Sequence, residues 1–513
     1  MPDAPTLDAA ALDATVKRIL QARVYDVAIE SPLDEARLLS RRLKNKVLIK
    51  REDLQPVFSF KLRGAFNKIV KLSDAERAKG VICASAGNHA QGVALAAKTL
   101  GIKGVIVMPQ TTPDIKVNAV KALGGQVVLH GDSYDDAFAH AQTLMADKGY
   151  TFVHPFDDPE IIAGQGTVAV EILRQHQGAI DAIFVPVGGG GLMAGVAAYI
   201  KYVRPSVRVI AVEAEDSACL AAAMKAGKRV TLDQVGLFAD GVAVKQIGKH
   251  TFDIAKVCID EVITCSTDEM CAAIKDIFDE CRCISEPAGA LSLAGLKKYV
   301  HRDGVQGQTL IAINSGANMN FDRLRHIAER TEIGEGREAV LAVTIPEQPG
   351  AFKAFCQAIG KRNVTEFNYR YSDHSAAHVF VGITVRNGAE ERAELVGGLQ
   401  RKGYAVLDLS DDEMAKLHTR HLVGGHAGLA DERLFRFEFP ERPGALMAFL
   451  TQLGTQWNIS LFHYRNHGAA YGRVLVGLQL GSRSLKELKA SLDAVGYPYS
   501  DESANPAYQL FLR

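Results

Sequence analysis

Short apolar runs alternate with longer amphipathic segments from about residue 45 to residue 320. A short apolar run bounded by turn residues is typical of a buried strand, and the longer amphipathic segments are typical of helices. This alternation favours mostly parallel sheets covered by helices, and so predicts an α/β fold with open parallel sheets. The predicted strands are 47–49, 81–83, 105–108, 126–129, 183–187, 209–212 and 310–313, and the predicted helices include 59–72, 91–100 and 192–203.

The last third of the chain contains an internal repeat. The sequence Ile-Pro-Glu-Gln-Pro-Gly-Ala-Phe at 345–352 returns as Phe-Pro-Glu-Arg-Pro-Gly-Ala-Leu at 439–446, and Phe-Asn-Tyr-Arg at 367–370 returns as Phe-His-Tyr-Arg at 462–465. Each copy indicates the order strand, Pro-Gly turn, helix, strand, strand, helix, strand, which is that of a ferredoxin-like unit. We therefore predict a C-terminal α+β region of two such repeats, with a pure dimerisation module as the alternative to an effector-binding one.

A charged stretch at 322–337 marks the predicted boundary between the two parts. Charged, polar segments of this kind commonly connect domains. The predicted limits are 1–325 for the first domain, with a smaller mobile subdomain at about 55–150, 326–336 for a linker, 337–412 for the first repeat, 413–431 for a connector and 432–513 for the second repeat.

The overall charge argues against nucleic-acid and membrane partners. The 513 residues include 59 Lys and Arg against 59 Asp and Glu, so the net charge is zero and no global attraction to polyanions is expected. Residues 182–200 carry no charge, but Pro186 and the glycines at 188–191 would break a membrane-spanning helix. We interpret this stretch as a buried strand, a loop and a helix.

Eight cysteines in a chain of this length indicate reduced, mostly structural thiols. No pair of C-x-x-C motifs with zinc spacing is present, so we predict no metal site. The first 20 residues contain Asp3, Asp8 and Asp13 and no continuous apolar core, which argues against a signal peptide. We expect a cytoplasmic protein.

Lys61 lies in the segment Ser-Phe-Lys-Leu-Arg-Gly-Ala at 59–65. Its apolar neighbours Phe60 and Leu62 predict a lowered pKa for the ammonium group, which makes the amine nucleophilic and suited to a Schiff base. A lysine near a helix start is more often a solvated charge, so this segment gains its meaning from the motifs that follow.

Four consecutive glycines, Gly188 to Gly191, stand between a predicted strand and a helix that begins near Leu192. Bare backbone N–H groups can approach a phosphate there, and the helix dipole favours an anion. The loop is not G-x-G-x-x-G and lacks a Walker lysine, so it favours a compact phosphate ester over a nucleotide.

The segment Ser85, Ala86, Gly87, Asn88 and His89 follows another predicted strand. Small residues and helix N-terminal N–H groups could form a cradle for a substrate carboxylate, and the Asn88 amide could donate to a phenolic oxygen. Helix capping by Ser85 or Asn88 explains the segment equally well. His89 is more often structural than catalytic in such a position.

Taken in chain order, the three segments above and a fourth, Ser-Gly-Ala-Asn at 315–318, resemble the tryptophan-synthase-like (fold type II) family of pyridoxal-phosphate enzymes. The resemblance extends over essentially the whole chain and is greatest to the biosynthetic threonine deaminases. The segments that support this narrower match are 59–65, 85–92, 188–191 and 315–318 in the first part of the chain, and 367–371, 408–413 and 462–465 in the last third. The segments of the last third look like the paired ACT-like regulatory domains of those enzymes.

The resemblance implies a role for each matched residue. Lys61 would carry pyridoxal phosphate as a Schiff base and act catalytically, and Ser315 would face the pyridine nitrogen. A serine there gives a weaker electron sink than an aspartate, which favours elimination over transamination. Asn88 would contact the ring oxygen, Gly188, Gly189, Gly190, Gly191 and Leu192 would hold the phosphate, and Ser85, Ala86, Gly87, Asn88 and His89 would hold the substrate carboxylate.

The implied reaction converts L-threonine, and also L-serine, to an oxoacid and ammonia. For threonine the product is 2-oxobutanoate, at the committed first step of isoleucine biosynthesis. The resemblance implies a homotetramer that isoleucine inhibits and valine relieves. The candidate effector contacts, whose apolar members are equally explained as core, are Pro349, Gly350, Phe367, Tyr369, Pro443, Gly444, Leu446, Leu450, Phe462 and Tyr464.

Three other interpretations stay open. A serine or threonine dehydratase and a serine racemase share this fold, and sequence does not set the ratio of threonine to serine turnover. A non-catalytic amino-acid sensor is a different class, which the intact Lys61 and the glycine loop argue against.

Overall fold

The computed structural model of the chain describes residues 9–346, 351–360, 362, 364–370, 376–386, 388–421, 431–440, 449, 452–453, 457–465 and 471–512. The chain divides into two compact units, Met1–Ile327 and Ala328–Arg513. The helix Arg323–Gly334 overlaps the predicted linker. The finer domain limits stay predictions.

The first unit contains two open sheets built from mostly buried strands. The strands are β1 (Leu33–Glu35), β2 (Lys46–Arg51), β3 (Val81–Ala84), β4 (Gly104–Met108), β5 (Gln126–Leu129), β6 (Thr151–Phe152), β7 (Ala182–Pro186), β8 (Arg208–Ala214), β9 (Glu261–Cys265) and β10 (Thr309–Asn314). The larger sheet has the order β1-β2-β10-β7-β8-β9 and is parallel except for β1, and the smaller has the parallel order β5-β4-β3-β6. The prediction of two parallel-sheet subdomains is therefore confirmed.

Helices cover these sheets, and two helices that contain candidate site residues each begin shortly after a strand. Asn88–Leu100 follows β3, and Gly191–Val203 follows β7. The other helices of this unit are Ala9–Leu20, Arg37–Leu43, Lys61–Val70, Asp74–Lys79, Asp114–Ala122, Tyr134–Lys148, Pro159–Gln175, Cys219–Ala226, Lys249–Cys258, Thr267–Cys281 and Pro287–Asp303, with short 3₁₀ turns at Glu52–Leu54, Glu215–Ser217 and Asp240–Val242.

Three of these helices touch backbone to backbone at a set of glycines that we call the glycine seam: Gly64, Gly164, Gly166 and Gly195. A Cβ at Gly164 would lie 2.6 Å from the Cα of Gly64. A Cβ at Gly195 would lie 2.5 Å from the Ile162 carbonyl oxygen and 2.6 Å from the Gly166 nitrogen. Real Cβ atoms do not approach backbone atoms this closely, so Gly164 and Gly195 accept no side chain, and the seam joins Lys61–Val70, Pro159–Gln175 and Gly191–Val203.

The uncharged stretch at 182–200 divides as predicted into β7, the glycine loop and the start of Gly191–Val203. In the part of the chain that the structure describes, no helix has both the length and the apolar composition needed to cross a bilayer.

The second unit contains two antiparallel sheets of identical topology. Its strands are β11 (Glu338–Pro346), β12 (Val364–Arg370), β13 (Ala376–Thr384), β14 (Ala405–Asp408), β15 (Glu432–Pro440), β16 (Asn458–Arg465), β17 (Tyr471–Gln479) and β18 (Tyr499–Asp501). The sheets have the orders β12-β13-β11-β14 and β16-β17-β15-β18. In both, the fourth strand flanks the first and the second flanks the third, which is the ferredoxin-like arrangement predicted from the repeat.

The strands of this unit alternate between two cores with period two. Leu341 and Val343 pack with Phe355 into the core of the first repeat, whereas Val340 and Ala342 join a cluster that includes Leu434 and so is shared by both repeats. The described helices of this unit are Ala351–Ile359, Gly388–Arg401, Glu413–Leu417, Leu485–Val495 and Pro506–Phe511, with a 3₁₀ turn at Thr419–His421.

Candidate active site

Lys61 is the first residue of the helix Lys61–Val70 and stands against the segment that follows β10. The Phe60 N–H donates to the Ser315 carbonyl oxygen at 3.2 Å, and the Ala317 N–H donates to the Phe58 carbonyl oxygen at 2.8 Å. Ser59 also forms a β-bridge with Gly316. Two motifs more than 250 residues apart are thereby hydrogen-bonded together.

The Lys61 ammonium group has few charged neighbours. Its Nζ donates to the Pro155 carbonyl oxygen at 2.8 Å and lies 5.4 Å from the centre of the Phe60 ring. Burial lowers the pKa of Lys61 to about 8, and the negative charge of Glu286 partly opposes that shift. The environment agrees with the apolar setting expected from the sequence.

A lowered pKa predicts how pH controls cofactor capture. An amine attacks an aldehyde only when it is neutral, and a lysine with a pKa of about 8 is neutral at a lower pH than an ordinary one. We expect the rate at which the cofactor-free protein captures pyridoxal phosphate to rise with pH and to level off above about 8. Stopped-flow absorbance measures this rate. A rate that climbs steadily to pH 10, as for free lysine, would contradict the assignment of Lys61 as the capturing amine.

Asn88 opens the helix Asn88–Leu100 and is held at both ends of its amide. Its Nδ2 donates to Oε1 of Glu286 at 2.6 Å, and its Oδ1 accepts from Nδ2 of Asn318 at 2.7 Å. Asn88 therefore does not cap its helix, which begins from Gly87 without a side-chain cap. The capping explanation does not hold for Ser85 either, because its Oγ accepts from the Gly87 N–H at 3.3 Å.

His89 is buried one residue further along. Its Nε2 lies 2.8 Å from the Val153 carbonyl oxygen, so the neutral ring donates from Nε2. Burial first, and the nearby Lys61 second, lower the pKa of His89 to about 3. The ring is neutral at physiological pH and anchors the helix to the chain after β6. Ser85, Ala86, Gly87 and Asn88 are half-buried beside it.

The glycine loop excludes side chains at each of its four positions. A Cβ at Gly188 would lie 2.9 Å from the Cα of Val242, one at Gly191 would lie 3.0 Å from the Phe156 carbonyl oxygen, and one at Gly189 would enter the Phe156 ring. Gly190 has a φ of +91° at the N-terminus of the helix Gly191–Val203. This leaves the backbone N–H groups bare, which is what close approach of a phosphate needs.

Gly190→Ala should weaken pyridoxal phosphate binding by about tenfold or more. The positive φ strains any residue with a side chain by roughly 1–2 kcal/mol, and the new Cβ would lie 2.8 Å from Cβ of Thr251. Equilibrium dialysis of the cofactor measures the effect. Gly227→Ala is the matched control, because Gly227 also has a positive φ, of 66°, but an added Cβ would meet nothing within 4 Å. Equal affinity losses in the two variants would contradict a role of the loop in holding the phosphate.

Ser315 is buried just after β10, and its Oγ donates to the Ala288 carbonyl oxygen at 3.3 Å. A hydroxyl is a weak proton source compared with a carboxylic acid, so this position brings no acid to a cofactor ring. Nearby, Oγ of Ser59 is buried with no hydrogen-bond partner among the described residues. A lysine with a lowered pKa, a cradle that a Cβ would fill and an unpartnered hydroxyl together fit pyridoxal phosphate.

Sequence reasoning did not find Glu286. It is buried at the N-terminus of the helix Pro287–Asp303, and burial raises its pKa to about 7. An acidic residue before a helical proline looks like an ordinary helix start, so the local sequence gave no signal that its partner would be Asn88.

A second feature missed from sequence lies behind the Lys61 helix. Four fully buried charged side chains, Lys50, Glu52, Arg63 and Glu171, form what we call the buried ion cluster. Arg63 donates to Glu52 at 2.7 Å and to Glu171 at 2.6 Å, and Lys50 donates to Glu171 at 2.7 Å. Two cations balance two anions, which is the condition for charges to be buried at acceptable cost.

The predicted effector residues belong to the second unit. Phe367 and Tyr369 are on β12, and Phe462 and Tyr464 are at the equivalent positions of β16: Phe367 is in register with Val381, and Phe462 with Val476. The remaining candidates lie outside the described residues: Pro349, Gly350, Pro443, Gly444, Leu446 and Leu450.

Two family models match the chain. Residues 24–316 match the model described as pyridoxal-phosphate dependent enzyme. Residues 329–419 and 423–512 match the model described as C-terminal regulatory domain of threonine dehydratase, so the repeat is matched twice.

Similar proteins cover nearly the whole chain. The chain is 59% identical over 501 residues to L-threonine dehydratase biosynthetic IlvA of Burkholderia multivorans. The aligned region spans 97% of this chain and 99% of that protein. It is 54% identical over 498 residues to the Escherichia coli protein of the same name, across 97% and 96%. The solved structure of the processed form of threonine deaminase isoform 2 from Solanum lycopersicum has 49% identity and a TM-score of 0.62, over 63% of this chain and 94% of that one. The chain belongs to the biosynthetic threonine dehydratase family of pyridoxal-phosphate-dependent enzymes.

Proposed function

We infer that the protein is a threonine ammonia-lyase, which converts L-threonine to 2-oxobutanoate and ammonia, the first step toward isoleucine. The β-hydroxyl leaves as water, and hydrolysis of the resulting imine takes up one water and releases the ammonia. The observation that supports this inference most is the backbone hydrogen bond between Phe60 and Ser315. It joins the segment of Lys61, a lysine with a lowered pKa, to the segment of Ser315, which we propose as the neutral partner of a pyridine ring.

Pyridoxal phosphate, when bound, supplies an electron sink for the negative charge left on the α-carbon. In the proposed mechanism, the amine of Lys61 accepts the α-proton, and its lowered pKa of about 8 leaves a large fraction of it neutral and able to act as a base near pH 8. Gly188, Gly189, Gly190, Gly191 and Leu192 hold the phosphate in this proposal, and the segment 85–89, half-buried except for His89, holds the substrate carboxylate.

Ser315 is proposed to steer the reaction after proton removal. Its hydroxyl donates to the Ala288 carbonyl oxygen in this structure and could rotate to donate a hydrogen bond to a ring nitrogen, but it is too weak an acid to protonate that nitrogen. An unprotonated ring would hold the charge left on the α-carbon less well, which would favour early loss of the β-hydroxyl over reprotonation. We therefore propose elimination as the dominant outcome, with racemisation of serine as the competing one.

Release of 2-oxobutanoate from L-threonine by the purified protein, with and without L-isoleucine, tests the function. We expect turnover that isoleucine suppresses. Turnover without suppression would overturn the regulatory half of the proposal. D-Serine formation from L-serine with no oxoacid release would instead identify a racemase.

Regulation is proposed to reside in the second unit, with isoleucine as inhibitor and valine as the ligand that relieves inhibition. Each repeat matches a regulatory-domain model, and effector control of this kind needs two states that the ligand binds unequally. We also propose a cytoplasmic homotetramer, with L-serine as a second substrate. Sedimentation velocity with and without isoleucine measures the assembly state.

Leu446→Phe should abolish inhibition by isoleucine and leave uninhibited turnover within about twofold. Leu446 follows the second Pro-Gly pair in the sequence, and the equivalent residue of the first repeat is Phe352. The substitution therefore introduces the larger side chain that the other repeat already carries, and in an effector site it would fill the space of a small aliphatic ligand. Inhibition curves for isoleucine measure the change. Unchanged inhibition would remove Leu446 from the effector site.

A further inference from the structure

We propose that Glu286 is a positioning residue, which together with Asn318 fixes the Asn88 amide for its contact with the ring oxygen of pyridoxal phosphate. This inference rests on the proposed cofactor role of Asn88. It assigns to Glu286 an action through Asn88 and no direct contact with the cofactor.

The three side chains form one directed chain of hydrogen bonds. Nδ2 of Asn318 donates to Oδ1 of Asn88 at 2.7 Å, and Nδ2 of Asn88 donates to Oε1 of Glu286 at 2.6 Å. They come from three separate segments, the starts of the helices Asn88–Leu100 and Pro287–Asp303 and the stretch after β10. The contact therefore exists only in the assembled fold.

This chain selects one of the two orientations of the Asn88 amide. In the flipped orientation, Oδ1 of Asn88 would face the oxygen of Glu286 and Nδ2 would face the amide nitrogen of Asn318, so two hydrogen bonds would become two repulsive contacts. In the observed orientation, one Nδ2 hydrogen goes to Glu286. The second Nδ2 hydrogen is then available for a phenolic oxygen.

Both partners of Asn88 are themselves anchored. The Glu286 N–H donates to the Gly316 carbonyl oxygen at 3.1 Å, and a Cβ at Gly316 would lie only 2.6 Å from Oε1 of Glu286. Nδ2 of Asn318 also donates to the Val57 carbonyl oxygen at 2.7 Å. Because each partner has little room to move, Asn88 is pre-organised before any cofactor arrives.

Other charges surround Glu286 without contacting Asn88. The carboxylate of Asp240 accepts from Nζ of Lys116 at 2.6 Å and lies 3.5 Å from Nη1 of Arg323. Asp240 and Glu286 influence each other electrostatically. Asp240→Asn therefore removes a neighbouring negative charge while the Asn88 hydrogen bonds stay in place, which makes it the control for a general charge effect.

A double-mutant cycle on the holoenzyme tests the proposal. The variants are Glu286→Gln, Asn88→Ala and their combination, and the readouts are the dissociation constant of pyridoxal phosphate and the absorption maximum of the bound cofactor. Measured above pH 8, where Glu286 with a pKa of about 7 is ionised, Glu286→Gln should weaken binding by about tenfold, since a charged acceptor becomes a neutral one that also permits the flipped amide. In the Asn88→Ala background the same change should alter binding by less than about twofold.

The outcomes separate this inference from the proposed function. Effects that multiply in the double variant would overturn the positioning role, and so would an equal effect of Glu286→Gln and Asp240→Asn on the absorption maximum. Asn318→Ala provides a second cycle with Asn88→Ala, with the same expected coupling, should Glu286→Gln fold poorly. A wild-type protein that binds no pyridoxal phosphate would overturn the proposed function as well as the inference.

Discussion

Lys61→Ala is expected to lose threonine turnover by at least about a thousandfold. The substitution removes both the amine proposed to capture the cofactor and the base proposed to accept the α-proton, and a positioned base alone contributes about 10²–10⁴ in rate. The loss is measured as 2-oxobutanoate release at saturating threonine. Borohydride reduction should leave the cofactor attached to the wild-type chain but not to the variant. Near-normal turnover would contradict the catalytic assignment.

Lys68→Ala is the matched control for this experiment. Lys68 lies two turns further along the same helix, and its Nζ pairs with the partly exposed Asp158 at 2.8 Å. The control removes a lysine from the same helix without touching the site, so we expect turnover within about threefold of the wild type. A comparable loss in both variants would indicate damage to the helix and would remove the support for Lys61 as the base.

Glu171→Gln is expected to cost about 3–5 kcal/mol of folding free energy, the usual penalty for breaking a buried ion pair by removing one partner. Glu171 accepts from both Arg63 and Lys50, and all three side chains are fully buried. The variant leaves two buried cations with Glu52 as their remaining anion. Urea unfolding, followed through the absorbance of the bound cofactor, measures the loss.

Asp253→Asn is the surface control for the buried ion cluster. Asp253 pairs with Lys256 at 2.9 Å, and the side chain of Asp253 is 46% exposed. Exposed pairs contribute about 0–1 kcal/mol because water and salt screen them. A loss for Glu171→Gln no larger than for this control would show that the cluster adds nothing to stability.

The sequence was sufficient for the fold where its pattern is local. Apolar runs predicted seven strands of the first unit, and the repeat predicted both antiparallel sheets of the second. The search for apolar runs missed β1, β6 and β9. β1 and β6 are three and two residues long, too short for any period to show. β9 is only partly buried, so its sequence mixes polar with apolar residues.

The site was predictable where one short segment carries the chemistry. Lys61 and the glycine loop are each contained in such a segment, and their surroundings agree with the expectation. The partners of the site are not local: Glu286 lies 198 residues from Asn88, and Glu171 lies 108 residues from Arg63. The segment around Lys61 has few acidic residues, yet the fold brings two carboxylates to Arg63, which no reading of neighbours along the chain could show.

The glycine seam fixes the distance between two helix starts. Gly64 belongs to the helix that begins at Lys61, and Gly195 belongs to the helix that begins at the glycine loop; both helices touch the helix that carries Gly164 and Gly166. The distance from the Lys61 backbone to the loop is therefore set by backbone contacts, and only the Lys61 side chain can vary how far its amine reaches. An aldehyde whose reactive carbon and phosphate are spaced beyond the range of that one side chain would not reach the amine and the loop together.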